Sequence, residues 1–376
     1  MRVLHVHSGN LYGGVETLLL TLARRRELAP RIEPHYALCF DGRLRDELRE
    51  ARAAVHALGG VRVSRPLSMR RARRALRELL STYRFDAVVT HAPWSHAIFG
   101  PVARAEGLPL AFWMHGPASG GTHWLERWAR LTPPDVVLCN SEYTAKDARR
   151  FFPRGRAELV YCPVEAPTVQ PTPSERAAVR AELDTPEGAT VIVQASRMEP
   201  WKGHRTHLDA LGLLKDVPGW VCWFVGGGQR PREAAYLREL QGQAARLGIA
   251  ERVRFAGQRS DVPRLLAAAD IYCQPNAEPE PFGIAFVEAL YAGLPVVTTD
   301  EGGAVEIVDE SCGTLVQPGD AGALAESLRA LIENPLMRAA LGRRAPARAT
   351  ELCEPATQMR RIEDILRGLA RRREAA

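Results

Sequence analysis

Lysine is almost missing from this chain. Lys146, Lys202 and Lys215 are the only three among 50 basic residues in a length of 376. Arginine supplies the rest, and with 44 acidic residues the net charge is +6. The seven cysteines (Cys39, Cys139, Cys162, Cys222, Cys273, Cys312 and Cys353) are odd in number and scattered, and none forms a CxxC pair. That spacing argues against a disulfide framework or a zinc site and for small buried hydrophobes. No run of 18 or more apolar residues occurs, so no membrane-spanning helix is expected. The first residues, MRVLHVHSG, lack the apolar core of a signal peptide. Cytoplasmic residence is the resulting expectation.

What is present suits two ordinary soluble domains: 46% apolar and 25% charged residues, enough for two cores. Short β-branched runs alternate with amphipathic stretches. VLHVH (3–7), FDAVVTH (85–91), PLAFWMH (109–115) and DVVLCN (135–140) read as buried strands, with Ser141 as an N-cap for the helix that follows the last. CPVEAPTVQPTP then places four prolines in the eleven residues Pro163–Pro173, a linker rather than a helix or central strand. The pattern restarts with TVIVQAS, WVCWFVG, RVRFAG, DIYCQP, LPVVTTD and GTLVQP. Strand–helix repetition of this kind predicts an α/β fold of two doubly wound, Rossmann-like parallel sheets with an interdomain cleft. The expected domains are 1–168 and 169–355, with a C-terminal helix over about 356–372 returning to the first.

The densest basic segment is 64–84, SRPLSMRRARRALRELLSTYR. It reads first as a solvated helix face. Adsorption to an anionic membrane surface is the alternative, which would make the protein peripheral to the inner face of the membrane. No nucleic-acid-binding motif accompanies the charge, so no nucleic-acid partner is expected.

The chemistry gathers around EPEPFGIAFVEAL (278–290). Pro279 and Pro281 forbid helix up to Phe282, and the helix-competent run from Ile284 stops near Gly293. The N–H groups of Phe282, Gly283 and Ile284 are then unsatisfied at a helix start, where oxygen-rich ligands bind. Glu288 lies four residues after Ile284 on the same face, and helical side chains lean toward the N-terminus. A carboxylate there repels phosphate and suits a vicinal diol. Glu278 falls outside this pattern and reads as a solvated neighbour. After TVIVQAS come Arg197 and Lys202, a planar fork and a mobile point charge suited to a diphosphate, with a solvated charged loop as the plain alternative. Near the N-terminus Gly13 and Gly14 lead into a helix whose first turn holds Glu16, which serves the helix dipole equally well.

Together, E-x7-E (Glu280 to Glu288) enclosing Pro-Phe-Gly, R-x4-K (Arg197 to Lys202), LYGGVE and LPVVTTDEGGAVEIV resemble the retaining glycosyltransferases of family 4, with the GT-B fold. The resemblance implies hexose transfer from a nucleoside-diphosphate sugar to a hydroxyl acceptor (a small molecule, a saccharide or a lipid-linked group) by same-face attack. It implies that Glu280 and the backbone at Phe282, Gly283 and Ile284 hold the donor sugar, and that Glu288 holds the ribose. Arg197 and Lys202 would neutralise the leaving diphosphate, with Gly13 and Gly14 close to it and His115 near the sugar. The base pocket is expected near Gln258 and Arg259. The acceptor side is expected to include Glu16 and the loops SGNLYGG, THAPWSH and HGPASGGTHW (115–124); His91 and His96 are placed there too, with core packing as the plainer reading. No metal and no cofactor are expected, because Arg and Lys take the metal's electrostatic role. Ser196, Cys162-Pro163 and Asn276 depart from the family pattern. A phosphorylase, a nucleotide-sugar epimerase and a non-catalytic nucleotide-sugar-binding protein remain as alternatives.

Overall fold

A computed structural model describes residues 1–117, 123–153, 155–167, 171–228 and 230–374. The chain forms two compact units, Met1–Val164 with Cys353–Ala376, and Glu165–Leu352. The boundary expected between 168 and 169, and part of the acceptor-side loop (118–122), lie outside the described residues.

Unit 1 holds a sheet of β1 (Arg2–His7), β2 (Glu33–Leu38), β3 (Ala54–Ala57), β4 (Ala87–His91), β5 (Leu110–Met114), β6 (Val136–Cys139) and β7 (Arg156–Leu159). Their order is β3-β2-β1-β4-β5-β6-β7 and every pairing is parallel. Unit 2 holds β8 (Thr190–Ala195), β9 (Trp220–Val225), β10 (Val253–Gly257), β11 (Ile271–Gln274), β12 (Val296–Thr299) and β13 (Gly313–Val316). Its order is β10-β9-β8-β11-β12-β13, again all parallel. Parallel strands covered on both faces read as continuous apolar runs, and the central ones here are buried along their length. Trp113, Trp220 and Trp223 are among the largest fully buried side chains.

In both sheets the strand order reverses once, between β1 and β4 and between β8 and β11. Ligands of doubly wound sheets bind beyond the carboxyl ends of the strands at that reversal. In unit 2 the loops leaving β8 and β11 therefore mark the candidate site.

Sequence reading missed β2, β3 and β7. β2 begins EPH, β3 has four residues, and β7 is an edge strand carrying Arg156 and Glu158. The apolar stretch of β2, YAL (36–38), is short and follows a polar, proline-containing start, and neither β3 nor β7 offers an apolar run.

Ser141 caps helix Glu142–Phe151 as expected. Its Oγ accepts from Thr144 N at 3.0 Å, and Thr144 Oγ1 accepts from Ser141 N at 3.1 Å. The basic segment forms helix Pro66–Thr82, which buries Ala72, Leu76 and Leu80 and leaves Arg70, Arg71, Arg74 and Arg77 exposed. Arg73 on the inner side donates to Ile98 O at 2.8 Å. The final helix, Pro355–Glu374, belongs to unit 1: Arg361 Nε donates to Leu159 O at 2.5 Å, and Glu363 Oε2 accepts from Arg31 N at 3.1 Å. Among the described residues no helix is long and apolar enough to cross a membrane.

Candidate active site

Lys202 and Glu280 are 78 residues apart in sequence and meet in space. Lys202 Nζ donates to Glu280 Oε2 at 2.6 Å, with side chains 14% and 9% exposed. The ammonium also sits 3.8 Å from the centre of the Trp201 ring. The same Oε2 accepts from Asn276 Nδ2 at 2.9 Å and Gln274 Nε2 at 3.3 Å. One carboxylate oxygen thus takes three donors, which fixes its position.

Two glycines make this meeting sterically feasible. Gly203, at φ +72°, ends the Lys202 turn, and a Cβ there would lie 1.6 Å from Pro275 O. The β8 and β11 loops are therefore backbone against backbone, and Ala277 N donates to Trp201 O at 2.8 Å. On the other side Gly302, at φ +73°, packs on the Glu280 backbone, where a Cβ would come within 2.3 Å of Glu280 O. The Gly-Gly of the downstream motif wraps the glutamate loop.

Arg197 is held by Glu199, through Nε to Oε2 at 3.2 Å and a second, closer contact from Nη2 to Oε1. Trp201 Nε1 donates to Glu199 Oε2 at 2.9 Å. Glu199 thus links the arginine to the ring that the Lys202 ammonium covers.

Helix Ile284–Tyr291 starts as the sequence suggests. Gly283, at φ +108°, is its N-cap and no side chain caps it. Phe282, Phe286, Val287 and Leu290 are buried, while Ile284 and Glu288 lie on the less buried face. Burial pushes the Glu288 pKa up to about 7. No hydrogen bond or ion pair reaches its carboxylate among the described residues, so it is a ready acceptor for two hydroxyls. Glu278 is exposed, as expected of a solvated neighbour.

Arg259 is tied to neighbouring carboxylates. Its Nε and Nη2 form a fork on Asp261 at 2.8 Å each, and Nη1 donates to Glu182 Oε1 at 2.5 Å. Three of the five N–H donors of that guanidinium are thus given to carboxylates. Gln258 is exposed beside the backbone of Gly227.

In unit 1, Gly13 caps helix Gly14–Arg24 without side-chain help. Glu16 and His91 are both buried. Glu16 is 6% exposed and its Oε1 pairs with His7 Nε2 at 2.7 Å. His91 is 1% exposed with both ring nitrogens occupied: Nε2 by His5 Nδ1 at 3.0 Å, Nδ1 by His115 Nε2 at 2.9 Å. His115 is partly exposed just beyond β5. His96 is core, bonded to Thr90 Oγ1 and Thr132 O at 2.7 Å each.

Gln274, Asn276 and Glu199 were not read as site residues. Two signals existed: polar residues ending the buried run IYCQ, and the departure from family pattern at Asn276. Among the described residues no group of three His, Cys, Asp or Glu side chains is placed to hold a metal ion.

Two Rossmann-like units with a Lys–Glu pair at the reversal of the second sheet define a glycosyltransferase of the GT-B class. Residues 12–166 match the model described as Glycosyltransferase Family 4, and residues 175–348 that described as Glycosyl transferases group 1. The chain belongs to glycosyltransferase family 4. It is 29% identical over 323 residues to the GDP-mannose-dependent alpha-(1-6)-phosphatidylinositol monomannoside mannosyltransferase of Mycolicibacterium smegmatis, covering 80% of this chain and 81% of that protein. It is 33% identical over 290 residues to the D-inositol 3-phosphate glycosyltransferase of Streptomyces avermitilis, covering 70% and 61%. Among solved structures, HepE of Anabaena in complex with UDP-glucose superposes with a TM-score of 0.87 at 25% identity, over 98% of this chain and 100% of that one.

Proposed function

We propose that this enzyme is a retaining hexosyltransferase that moves a sugar from a nucleoside-diphosphate hexose to a hydroxyl acceptor without a metal or other cofactor. The observation that carries this reading is the Lys202–Glu280 pair beside a helix start without a side-chain cap, which leads to Glu288, a carboxylate with no hydrogen-bond partner among the described residues. These groups offer a cation, a sugar-directed carboxylate, the N–H groups of a helix start and a diol acceptor. A nucleoside-diphosphate sugar presents all of these complements: a diphosphate, sugar hydroxyls and a ribose diol.

In this reading the bond from C1 to the leaving phosphate oxygen breaks first. Arg197, Lys202 and the N–H groups at the helix start stabilise the charge growing on the diphosphate. C1 becomes oxocarbenium-like. The acceptor oxygen bonds to C1 on the face the diphosphate leaves, and the acceptor's proton passes to a phosphate oxygen. Lys202 keeps Glu280 Oε2 occupied, so Oε1 is the edge that turns to the sugar hydroxyls. His115 and the Gly13–Gly14 helix start are assigned to the sugar and the diphosphate. The exposed arginines of helix Pro66–Thr82 are read as solvated; co-sedimentation with anionic vesicles would reverse that.

Nucleotide release from a panel that includes GDP-mannose and UDP-glucose, with and without chelator, tests the reading. One donor should turn over, equally in both conditions. Binding of a donor without any turnover would favour a sensor.

Glu288 gives a signed pH prediction. Its pKa is raised, so at pH 6 it is mostly protonated and accepts poorly, and at pH 8 it is ionised. Affinity for the intact nucleotide sugar should rise from pH 6 to pH 8. Glu288→Gln should weaken binding by about 1.5–3 kcal/mol and abolish the pH dependence. Isothermal titration at three pH values reads both; unchanged affinity would remove Glu288 from the ribose.

A further inference from the structure

Gln194 stands in the apolar run of β8 with its side chain buried, and His207, on helix His204–Leu213, is buried beside it. Both belong to unit 2. Gln194 Nε2 lies 2.8 Å from Lys202 O and 3.3 Å from Ser196 Oγ. Gln194 Oε1 lies 2.8 Å from His207 Nδ1. The amide is thus bonded at both ends, between that helix and the turn Pro200–Lys202 that carries the site lysine.

The protons can be assigned from the backbone outward. Lys202 O is a carbonyl and only accepts, so the end of the amide that faces it is the NH2 group. The end that faces His207 is then the amide oxygen, which also only accepts. His207 Nδ1 must therefore carry the proton. A neutral imidazole has one N–H, so His207 Nε2 is bare, and that atom is buried with no hydrogen-bond partner among the described residues. The opposite tautomer would bury an unsatisfied N–H at Nε2 and set two lone pairs against each other across 2.8 Å. Burial, with the neighbouring His204 ring adding to it, holds the His207 pKa down at about 3, so the ring is neutral at working pH.

Lys202 reaches Glu280 and the Trp201 ring from a turn of three residues, and Gln194 ties the last residue of that turn to the strand. Ser196, a departure from the family pattern, supplies the acceptor for the second amide N–H. We propose that Gln194 and His207 are positioning residues for Lys202: the Nδ1–H of His207 orients the Gln194 amide, the amide pins the Lys202 carbonyl to β8, and the ammonium is thereby held against Glu280.

Two spectra of the full-length protein test this without reference to activity. Nitrogen-15 NMR of histidine-labelled protein should show His207 protonated at Nδ1, the form disfavoured in free histidine side chains. His207 at Nε2–H would overturn the proposal, and that spectrum needs no variant to fold. Carbon-13 labelling of lysine reads the place of the ammonium. Lys146 and Lys215 are exposed, whereas the Lys202 ammonium lies 3.8 Å from the centre of the Trp201 ring, so the Lys202 Hε signals should stand upfield of the other two. Gln194→Met, which keeps the length and removes both hydrogen bonds, should move them toward the exposed position. Unmoved signals in the folded variant would overturn the proposal.

The consequence for turnover rests on the assignment of Lys202 to the leaving diphosphate made above. Gln194→Met should lower kcat about tenfold with little change in donor KM, the kinetic equivalent of one lost buried hydrogen bond. His207→Phe should do the same, and His207→Asn, whose amide N–H falls near the place of Nδ1–H, should restore both kcat and the Lys202 signals. In a Lys202→Ala background Gln194→Met should lower kcat no further, because it acts through the missing ammonium. Equal losses in the two backgrounds would overturn the proposal. Near-normal kcat in Lys202→Ala would instead remove the leaving-group assignment, with the histidine and lysine spectra still deciding the positioning.

Discussion

Lys202→Ala lowers kcat/KM by about 10²–10³, with most of the loss in kcat. The ammonium is the one lysine nitrogen bonded to Glu280 Oε2, at 2.6 Å, and it is 14% exposed. In the reading proposed here it meets charge that develops only as the diphosphate leaves. Such an interaction lowers the barrier more than it strengthens ground-state binding. The deletion also leaves Glu280 with Asn276 and Gln274 as donors to Oε2, two neutral amides in place of a cation. Lys202→Arg should recover only part of the rate, because a rigid planar fork cannot occupy a place built for a point charge over the Trp201 ring. Arg197→Ala should show a loss of the same order. Steady-state kinetics with the preferred donor, alongside thermal melts, read the effect. Near-normal turnover in both alanine variants would remove the leaving-group assignment.

Gly203→Ala costs about 3 kcal/mol or more of stability in unit 2 and most of the activity with it. Two penalties coincide. The residue sits at φ +72°, where a β-carbon is strained, and that carbon would lie 1.6 Å from Pro275 O. Neither Pro275 O nor its peptide carbon is a flexible end that can move aside. Relief needs the β8 and β11 loops to part, and with them Lys202 and Glu280. Calorimetry should show a fall in Tm of roughly 6–12 °C for the unit-2 transition. Gly219→Ala is the matched control: it has φ +75° but nothing within 4 Å of the added carbon. It should lose about 1 kcal/mol, the strain alone. Equal losses in the two variants would mean that the close approach contributes nothing.

Ten of the thirteen strands were legible as apolar runs, because strands covered on both faces are predominantly apolar. The three that escaped depend on neighbours: β2 on its pairing with β1 despite Pro34, β3 and β7 as short edges. At the site, the motif spacing placed Lys202, Glu280, Glu288 and the helix start after the expected strands. It could not show that Lys202 and Glu280 pair, because that depends on the β8–β11 adjacency, a long-range fact. The same limit applies elsewhere. The sequence puts Glu16 in a helix's first turn and His91 at a strand end, and only the fold reveals His7 and His5 beside them. Arg259 looked available until Asp261, two residues on, and Glu182 folded against it. The resemblance supplied roles; burial and register decide which side chains remain able to perform them.

The stereochemistry of transfer tests the account most directly. Proton NMR at the anomeric centre of the product, formed from the donor that turns over, compares its configuration with that of the donor. The account predicts the same configuration together with one nucleoside diphosphate released per sugar transferred. An inverted anomeric centre, a sugar 1-phosphate or an epimerised nucleotide sugar would contradict it.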